Sequence, residues 1–376
     1  MTSKERVKTV LRHQEPDRVP VGEVYIDYPI VEKVLGRETF CWAHARTIKA
    51  LWGGFRDEVV ESQKKDTVEF TQKVGIDVVT VYLVPPRNQI ILPPTKLDDR
   101  TWEDSAGNIL KYYEETEDIV LVKKGTKIMT TLAQPPPDGS EWELWEYVVE
   151  KLGETHFIIA SYGGPALGIG GYYTSAEDRF TGFEKRLIEI YENPERHAEM
   201  EVRSAFLYRE TVKMLSQRGL DAIRMSPDYG YYRPYCSPKL FRRAFLPGLK
   251  ACCEEMHAGG LPLLLHCDSN MEVLIEQLVE AGVDIYQAIQ KYEPIALYKQ
   301  LYGDKLTLWG AVDCHDLSTA SPKEILKQVR YLIKQCAKGG GFILGSSHNI
   351  MISTKYDNFM TMLETAFNEG KYPIRI

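Results

Sequence analysis

From about residue 150 onward the chain alternates short apolar runs with longer helix-like segments. The runs are HFIIASYGG (156–164), DAIRMSPD (221–228), LPLLLHCD (261–268), DIYQAIQ (284–290), LTLWGAVDC (306–314) and FILGSSH (342–348). Each is β-branched or leucine-rich, too short for a helix and closed by turn or polar residues, the signature of a strand buried on both faces. Between them NMEVLIEQLVEAG (270–282) opens on an asparagine cap and ends on glycine, and SPKEILKQVRYLIKQCAKGGG (321–341) opens Ser-Pro with Glu324 at capping-box spacing. Gly219 and the pair Gly259-Gly260 are placed to stop the helices before two of the strands. Upstream, RVPVGEVYI (18–26) and IDVVTVYLV (76–84) have the same character, which brings the count to eight strand–helix candidates. Apolar strands alternating with helices imply a parallel sheet covered on both faces. Eight units in a chain of this length predict an α/β fold of the (β/α)8 TIM-barrel type, with an open doubly wound sheet as the alternative. No GxGxxG opens a helix after the first strand, so dinucleotide binding has no support.

One stretch breaks the alternation. Residues 86–135 follow a period of two, with turn residues from Asp104 to Asn108, and are closed by Pro135, Pro136 and Pro137. This predicts a β-meander inserted after the second strand. With no linker or low-complexity segment in view, residues 1–376 read as a single domain.

In a barrel of this kind the active site lies at the C-terminal ends of the strands. Those ends carry Glu23, Tyr25 and Asp27, then Tyr162, then Asp228 with Tyr229, Tyr231 and Tyr232. They continue with His266, Cys267 and Asp268, then Gln290, Asp313, Cys314 and His315, and finally Ser346, Ser347 and His348. Three of the eight histidines fall at these ends. In an extended segment His266 and Asp268 point the same way and Cys267 the other. Joined by His348, they form a His–Asp–His set for one divalent metal, three protein ligands and a vacant position being the pattern of a catalytic zinc site. The same pair also fits a plainer role, with His266 hydrogen-bonding a loop and Asp268 capping the next helix. Asp228 and His266 are the candidate catalytic groups, although Asp228 is equally placed for a turn. Tyr25, Tyr162, Tyr229, Tyr231 and Gln290 are the candidate substrate-binding residues. The glycine-rich segment 163–178 matches no phosphate loop.

Composition narrows the partners. The 376 residues carry a net charge of −7 and no long basic block, which argues against nucleic acid. No run of about 18 apolar residues predicts a membrane span, and the charged N-terminus has no signal-peptide core, so a cytoplasmic protein is expected. The seven cysteines show no CxxC and no framework spacing, and are expected as reduced, mostly buried thiols, Cys252 and Cys253 among them.

Taken together, several segments resemble one family. KERVKTVLRHQEPDRVPV (4–21), DSAGNILKY (104–112), SPDYGYYRPYCSPKLFRRAFLPGLK (226–250), HCDSNMEVLIEQLVEAGVDIYQAIQ (266–290), LWGAVDC (308–314) and the closing stretch from Gly339 are similar to the uroporphyrinogen decarboxylase-like superfamily, within it to the corrinoid-dependent methyltransferases. Ser105-Ala106 departs from that pattern. The resemblance implies a zinc-dependent enzyme that passes a methyl group between a small methylated substrate and the cobalt of a corrinoid (cobalamin) carried by a partner protein, in the metabolism of an anaerobe. In that branch zinc is held by an HxC pair and a later cysteine; here Asp268 and His348 stand at those positions. The harder ligand set implies activation of an oxygen or nitrogen leaving group, such as the ether of a methoxylated aromatic. The family's decarboxylases bind substrate carboxylates through N-terminal arginines, and GEVYIDYPIVEKV (22–34) has none. A metal-free decarboxylase of a small carboxylic acid, relying on Asp228 and His266, is therefore the alternative. A non-catalytic partner of a corrinoid protein is a third reading.

Overall fold

The computed structural model describes residues 1–125, 134–165, 167–169, 176–227 and 229–376, with the side chains of 176–181 left aside. Seven strands, Val78–Val81, Phe157–Ala160, Ala222–Met225, Leu263–His266, Ile285–Ile289, Thr307–Val312 and Phe342–Ser346, form one sheet in which each pairs with the next along the chain. Every pairing is parallel. All seven were expected from the apolar runs, and a helix follows each of the last six.

The expected first strand takes a looser form. Residues 18–26 make single parallel bridges, Val21 to Leu344 in the last strand and Ile26 to Ile350 just beyond it. Gly22 donates to the Leu344 carbonyl at 3.0 Å, and Leu344 donates back to Pro20 at 2.9 Å. On its other side Val21 accepts from the Asp77 amide at 2.7 Å, just ahead of the first sheet strand. The segment thus lies between the first and last strands of the curled sheet. Pro20 has no N–H to give, which limits the ladder to isolated bonds. Gly22 and Gly345 let the two backbones approach: a Cβ on Gly345 would sit 2.2 Å from the Gly22 carbonyl oxygen and 2.8 Å from Trp309 Nε1. Trp309 is fully buried and donates from that nitrogen to Gly22 at 3.0 Å.

Period-two alternation sorts the strand residues into two apolar layers. Val24, Val78, Phe157, Ile159, Ala222, Leu264, Ile285, Trp309 and Ile343 pack together inside the curl. Their neighbours Val79, Ile158, Ile223, Leu263, Leu265, Tyr286, Leu308 and Leu344 face the helices. The parity decides the site, because the interior positions nearest the C-terminal ends include Arg224, His266 and Gln287. The opposite rim is closed by buried Asp77, which receives Arg6, Arg18 and the Val21 amide.

A four-stranded antiparallel sheet, Thr95–Lys96, Thr101–Glu103, Ile109–Tyr113 and Asp118–Lys123, falls between the first two strands of the large sheet. Residues 126–133, the last part of the expected meander, lie outside the described residues. The capping box of Ser321 and Glu324 is present. The helix expected from Asn270 begins only at Ile275, because the Asn270 side chain is spent on the Glu272 amide in a local turn. All seven cysteines are unpaired. Among the described residues no helix is long and apolar enough to cross a membrane.

Candidate metal centre

His266 closes the strand Leu263–His266, and its parity with Leu264 turns the imidazole into the interior. Cys267 points into the helix layer, with its sulfur near Ser269 Oγ and Met271 Sδ. Asp268 returns to the side of His266, and His348 arrives two residues beyond the strand Phe342–Ser346. His266 Nε2 stands 3.6 Å from Asp268 Oδ1, and His348 Nε2 stands 3.6 Å from Asp268 Oδ2. The two imidazole centroids are 5.1 Å apart, and one donor atom from each residue lies within 4.8 Å of the others. These separations are too long for hydrogen bonds. They approach the roughly 3.4 Å between two donors on a tetrahedral ion with ligand distances of about 2.0–2.1 Å. Asp268 caps no helix, since the next one starts seven residues later. The capping half of the plainer reading is thereby overturned, while His266 does make a hydrogen bond, to Gln287.

A residue the sequence reading passed over fixes the histidine. Gln287 pairs in register with His266 and is 1 % exposed. Its Nε2 donates to the His348 carbonyl at 3.3 Å, which orients its carbonyl oxygen to accept from His266 Nδ1. With the proton held on Nδ1, the lone pair of Nε2 is free and faces Asp268. This is the arrangement in which a second residue sets tautomer and ring angle for a metal ligand. Burial, then the nearby Arg224 charge, holds His266 far below the usual histidine range, at about 3. Burial also lowers His348, with Asp268 opposing. Two imidazoles and a carboxylate make a donor set compatible with a zinc ion. His266 is buried, while the Asp268 side chain is 57 % and that of His348 38 % exposed, so the cluster is open on one side.

Arg224 is the second residue the reading missed. Its Nη1 donates to Ser161 Oγ at 2.9 Å and to Tyr25 Oη at 3.2 Å, and its guanidinium carbon lies 5.1 Å from the Tyr25 ring centroid. Tyr25 packs on Trp42 at 4.1 Å and Trp42 on Tyr82 at 4.8 Å, an aromatic wall beside the arginine. Of the predicted substrate residues, Tyr25 alone is part of this wall. Tyr162 stacks on Trp142 at 5.2 Å. Tyr229 is buried against Phe241 and Phe245 in the helix layer, where burial raises its pKa well above the ordinary tyrosine value. It belongs to the helix-side core cluster rather than to the inner layer. Tyr231 is solvent-exposed. Gln290 spends its amide on the carbonyls of Ala288 at 2.8 Å and Ser347 at 2.9 Å; the glutamine at the cluster is Gln287. Asp228 lies outside the described residues. The signal for both missed residues was present in the sequence: AIRM and IYQAI each hold one polar residue inside an apolar strand run.

Glu23 lies within the wall of the curl, accepting from the Ser346 amide at 2.8 Å and the Ser346 hydroxyl at 2.5 Å. Burial pushes its carboxyl up to about 8.

A family model described as uroporphyrinogen decarboxylase (URO-D) matches residues 142–368. No curated protein matches the sequence. Among solved structures, a methyltransferase from Methanosarcina mazei is similar with a TM-score of 0.64 at 16 % identity, over 98 % of each chain. A putative vitamin-B12 independent methionine synthase from Listeria monocytogenes gives a TM-score of 0.47 at 10 % identity, over 94 % of this chain and 98 % of that one.

Proposed function

The chain belongs to the uroporphyrinogen decarboxylase family, and from that premise we propose that it is a zinc-dependent methyltransferase. It passes a methyl group between a small methylated compound and the cobalt of a corrinoid carried by a separate protein. The observation that carries this reading is the cluster of His266, Asp268 and His348 at the strand ends, open on one side and with its key histidine locked by Gln287. We read the curled sheet, together with residues 18–26, as a (β/α)8 barrel, and the antiparallel sheet within residues 86–135 as its insertion. That frame puts the cluster at the mouth where barrel enzymes do their chemistry.

In this reading His266 and His348 offer neutral nitrogens and Asp268 offers the one negative charge. Bound there, zinc supplies Lewis acidity toward the oxygen or nitrogen that carries the methyl group. The chain's own contribution is placement. Gln287 keeps Nε2 of His266 aimed at the ion position, and the Tyr25–Trp42 wall offers a flat apolar surface to an aromatic methyl ether. The rim is suited to a protein partner: Tyr231 and Tyr232 are exposed, and Tyr232 stacks on Tyr292 from the loop after Ile285–Ile289. A corrinoid carried by a separate protein would meet the methyl donor from the open side of the cluster, where the Asp268 and His348 side chains are exposed.

The test is methyl transfer to reduced cobalamin. Zinc-loaded protein with a methoxylated aromatic should generate the methylcobalamin absorbance, and Asp268→Ala should abolish it. Loss of CO2 from a small carboxylic acid by metal-free protein, with no methylation from any ether, amine or alcohol donor, would favour the decarboxylase reading instead.

A further inference from the structure

Arg224 is a part-buried cation with no ion-pair partner among the described residues. Among the described residues no carboxylate stands within 4.0 Å of its guanidinium, and its Nε is buried with no hydrogen-bond partner. The position on the strand is also unusual. Arg224 faces the interior, pairs in register with apolar Leu264, and follows Ala222 of the inner layer. Even partial desolvation of a charge met only by neutral hydroxyls is unfavourable, so such a residue calls for something that offsets the cost. At the bottom rim the same fold pairs Arg6 and part-buried Arg18 with buried Asp77, at 2.6 Å and 2.7 Å. The contrast points to a ligand at Arg224 rather than to a structural ion pair.

The surroundings describe that ligand. Two neutral hydroxyls, Ser161 and Tyr25, meet Nη1 without neutralising it, and both can turn a proton toward an anion. Ser161 is exposed, so the seat is reachable from solvent. The planar guanidinium still has donors to give, the geometry that matches a carboxylate. Arg224 lies on the strand next to that of His266, in register with Leu264 two residues before it, and both side chains share the inner parity of Leu264. A molecule small enough to rest on Tyr25 and Trp42 therefore spans both.

We propose that Arg224, Ser161 and Tyr25 form a carboxylate seat, and that the methylated substrate is a small organic acid whose methyl-bearing heteroatom faces His266, Asp268 and His348. This rests on the methyl-transfer reading of the cluster and adds the anionic group to the substrate class. The N-terminal segment without arginine remains consistent with it: the counter-charge comes from the strand Ala222–Met225 instead.

Calorimetric titration of zinc-loaded protein tests the seat with matched pairs: benzoate against benzyl alcohol, 3-methoxybenzoate against 3-methoxybenzyl alcohol, and glycine betaine against choline. The wild type should bind the acid of at least one pair about tenfold more tightly or better, the worth of a charge-assisted bond. Arg224→Met should bring that ratio to within about threefold of unity at unchanged zinc content, and Arg224→Lys should retain part of it. Equal binding of acid and alcohol in every pair, or no binding of any acid, overturns the seat. So does a preference that survives in Arg224→Met, which would place the carboxylate on zinc. If Arg224→Met fails to fold, the wild-type ratio and Arg224→Lys decide. Zinc content separates the two readings: acid preference through Arg224 in protein that binds no zinc sinks methyl transfer and keeps the seat.

Discussion

Replacing Gln287 by methionine tests whether the cluster is built for a metal. Methionine keeps most of the side-chain volume, so little cavity cost enters. Two bonds disappear: the one that holds the proton on His266 Nδ1, and the 3.3 Å bond to the His348 carbonyl. The first loss releases the imidazole tautomer and ring angle, and the second loosens the segment that carries another ligand. Losing a residue of this kind lowers metal affinity about 10- to 100-fold, or about 1.4–2.7 kcal/mol. The buried Nδ1–H left without an acceptor costs the apo protein a further 1–3 kcal/mol or so. Competition for zinc against a chromophoric chelator reads the first number, and urea unfolding of the apo protein reads the second. Gln287→Glu keeps the acceptor for His266 while losing the donor to the His348 carbonyl, and should bind zinc more tightly than Gln287→Met. A folded Gln287→Met protein whose zinc affinity stays within about twofold of the wild type would refute the reasoning.

Three further outcomes follow from the same geometry. The Glu23 carboxyl is held at about 8 in the folded protein against 4.5 in an open chain, so it binds a proton the unfolded state has lost, and stability falls as pH rises from 4.5 to 8. Glu23→Gln removes that loss: its stability relative to wild type should climb through this window, by the order of a few kcal/mol, and stay level above it, as urea midpoints at pH 4.5, 6 and 8.5 would show; a flat difference contradicts the burial. Gly345→Ala forces a Cβ to within 2.2 Å of the Gly22 carbonyl oxygen where residues 18–26 meet the last strand, and should cost about 1–3 kcal/mol by overpacking. An unchanged denaturant midpoint would mean that contact is not made. Tyr229 buries a hydroxyl with no partner among the described residues, so Tyr229→Phe should leave stability unchanged or raise it by about 1 kcal/mol, with substrate affinity intact; a drop in affinity would put Tyr229 back at the site.

Much of this was legible in the chain because strands buried on both faces announce themselves as apolar runs. All seven sheet strands fell where such a run stands, and the period-two argument that turned Cys267 away from His266 holds. The segment 18–26 read as a strand but pairs only at points, since Pro20 withholds a donor. The loops were harder. Tyr229, Tyr231 and Gln290 were chosen as polar or aromatic residues past a strand end, where no periodicity dictates a direction. One turned into the helix layer, one into solvent and one onto backbone carbonyls. Arg224 and Gln287 sit inside strands, where parity with His266 does dictate direction. The attention given to strand ends passed over them.

The central claim is that His266, Asp268 and His348 together hold zinc. The most direct measurement is anomalous scattering at the zinc edge from crystals of protein purified without chelators. One peak is expected at about 2.0–2.2 Å from Nε2 of His266, a carboxylate oxygen of Asp268 and Nε2 of His348. The peak should vanish in His348→Ala while the fold persists. A zinc-replete crystal with no peak at these atoms, or with its peak at a cysteine, would contradict it.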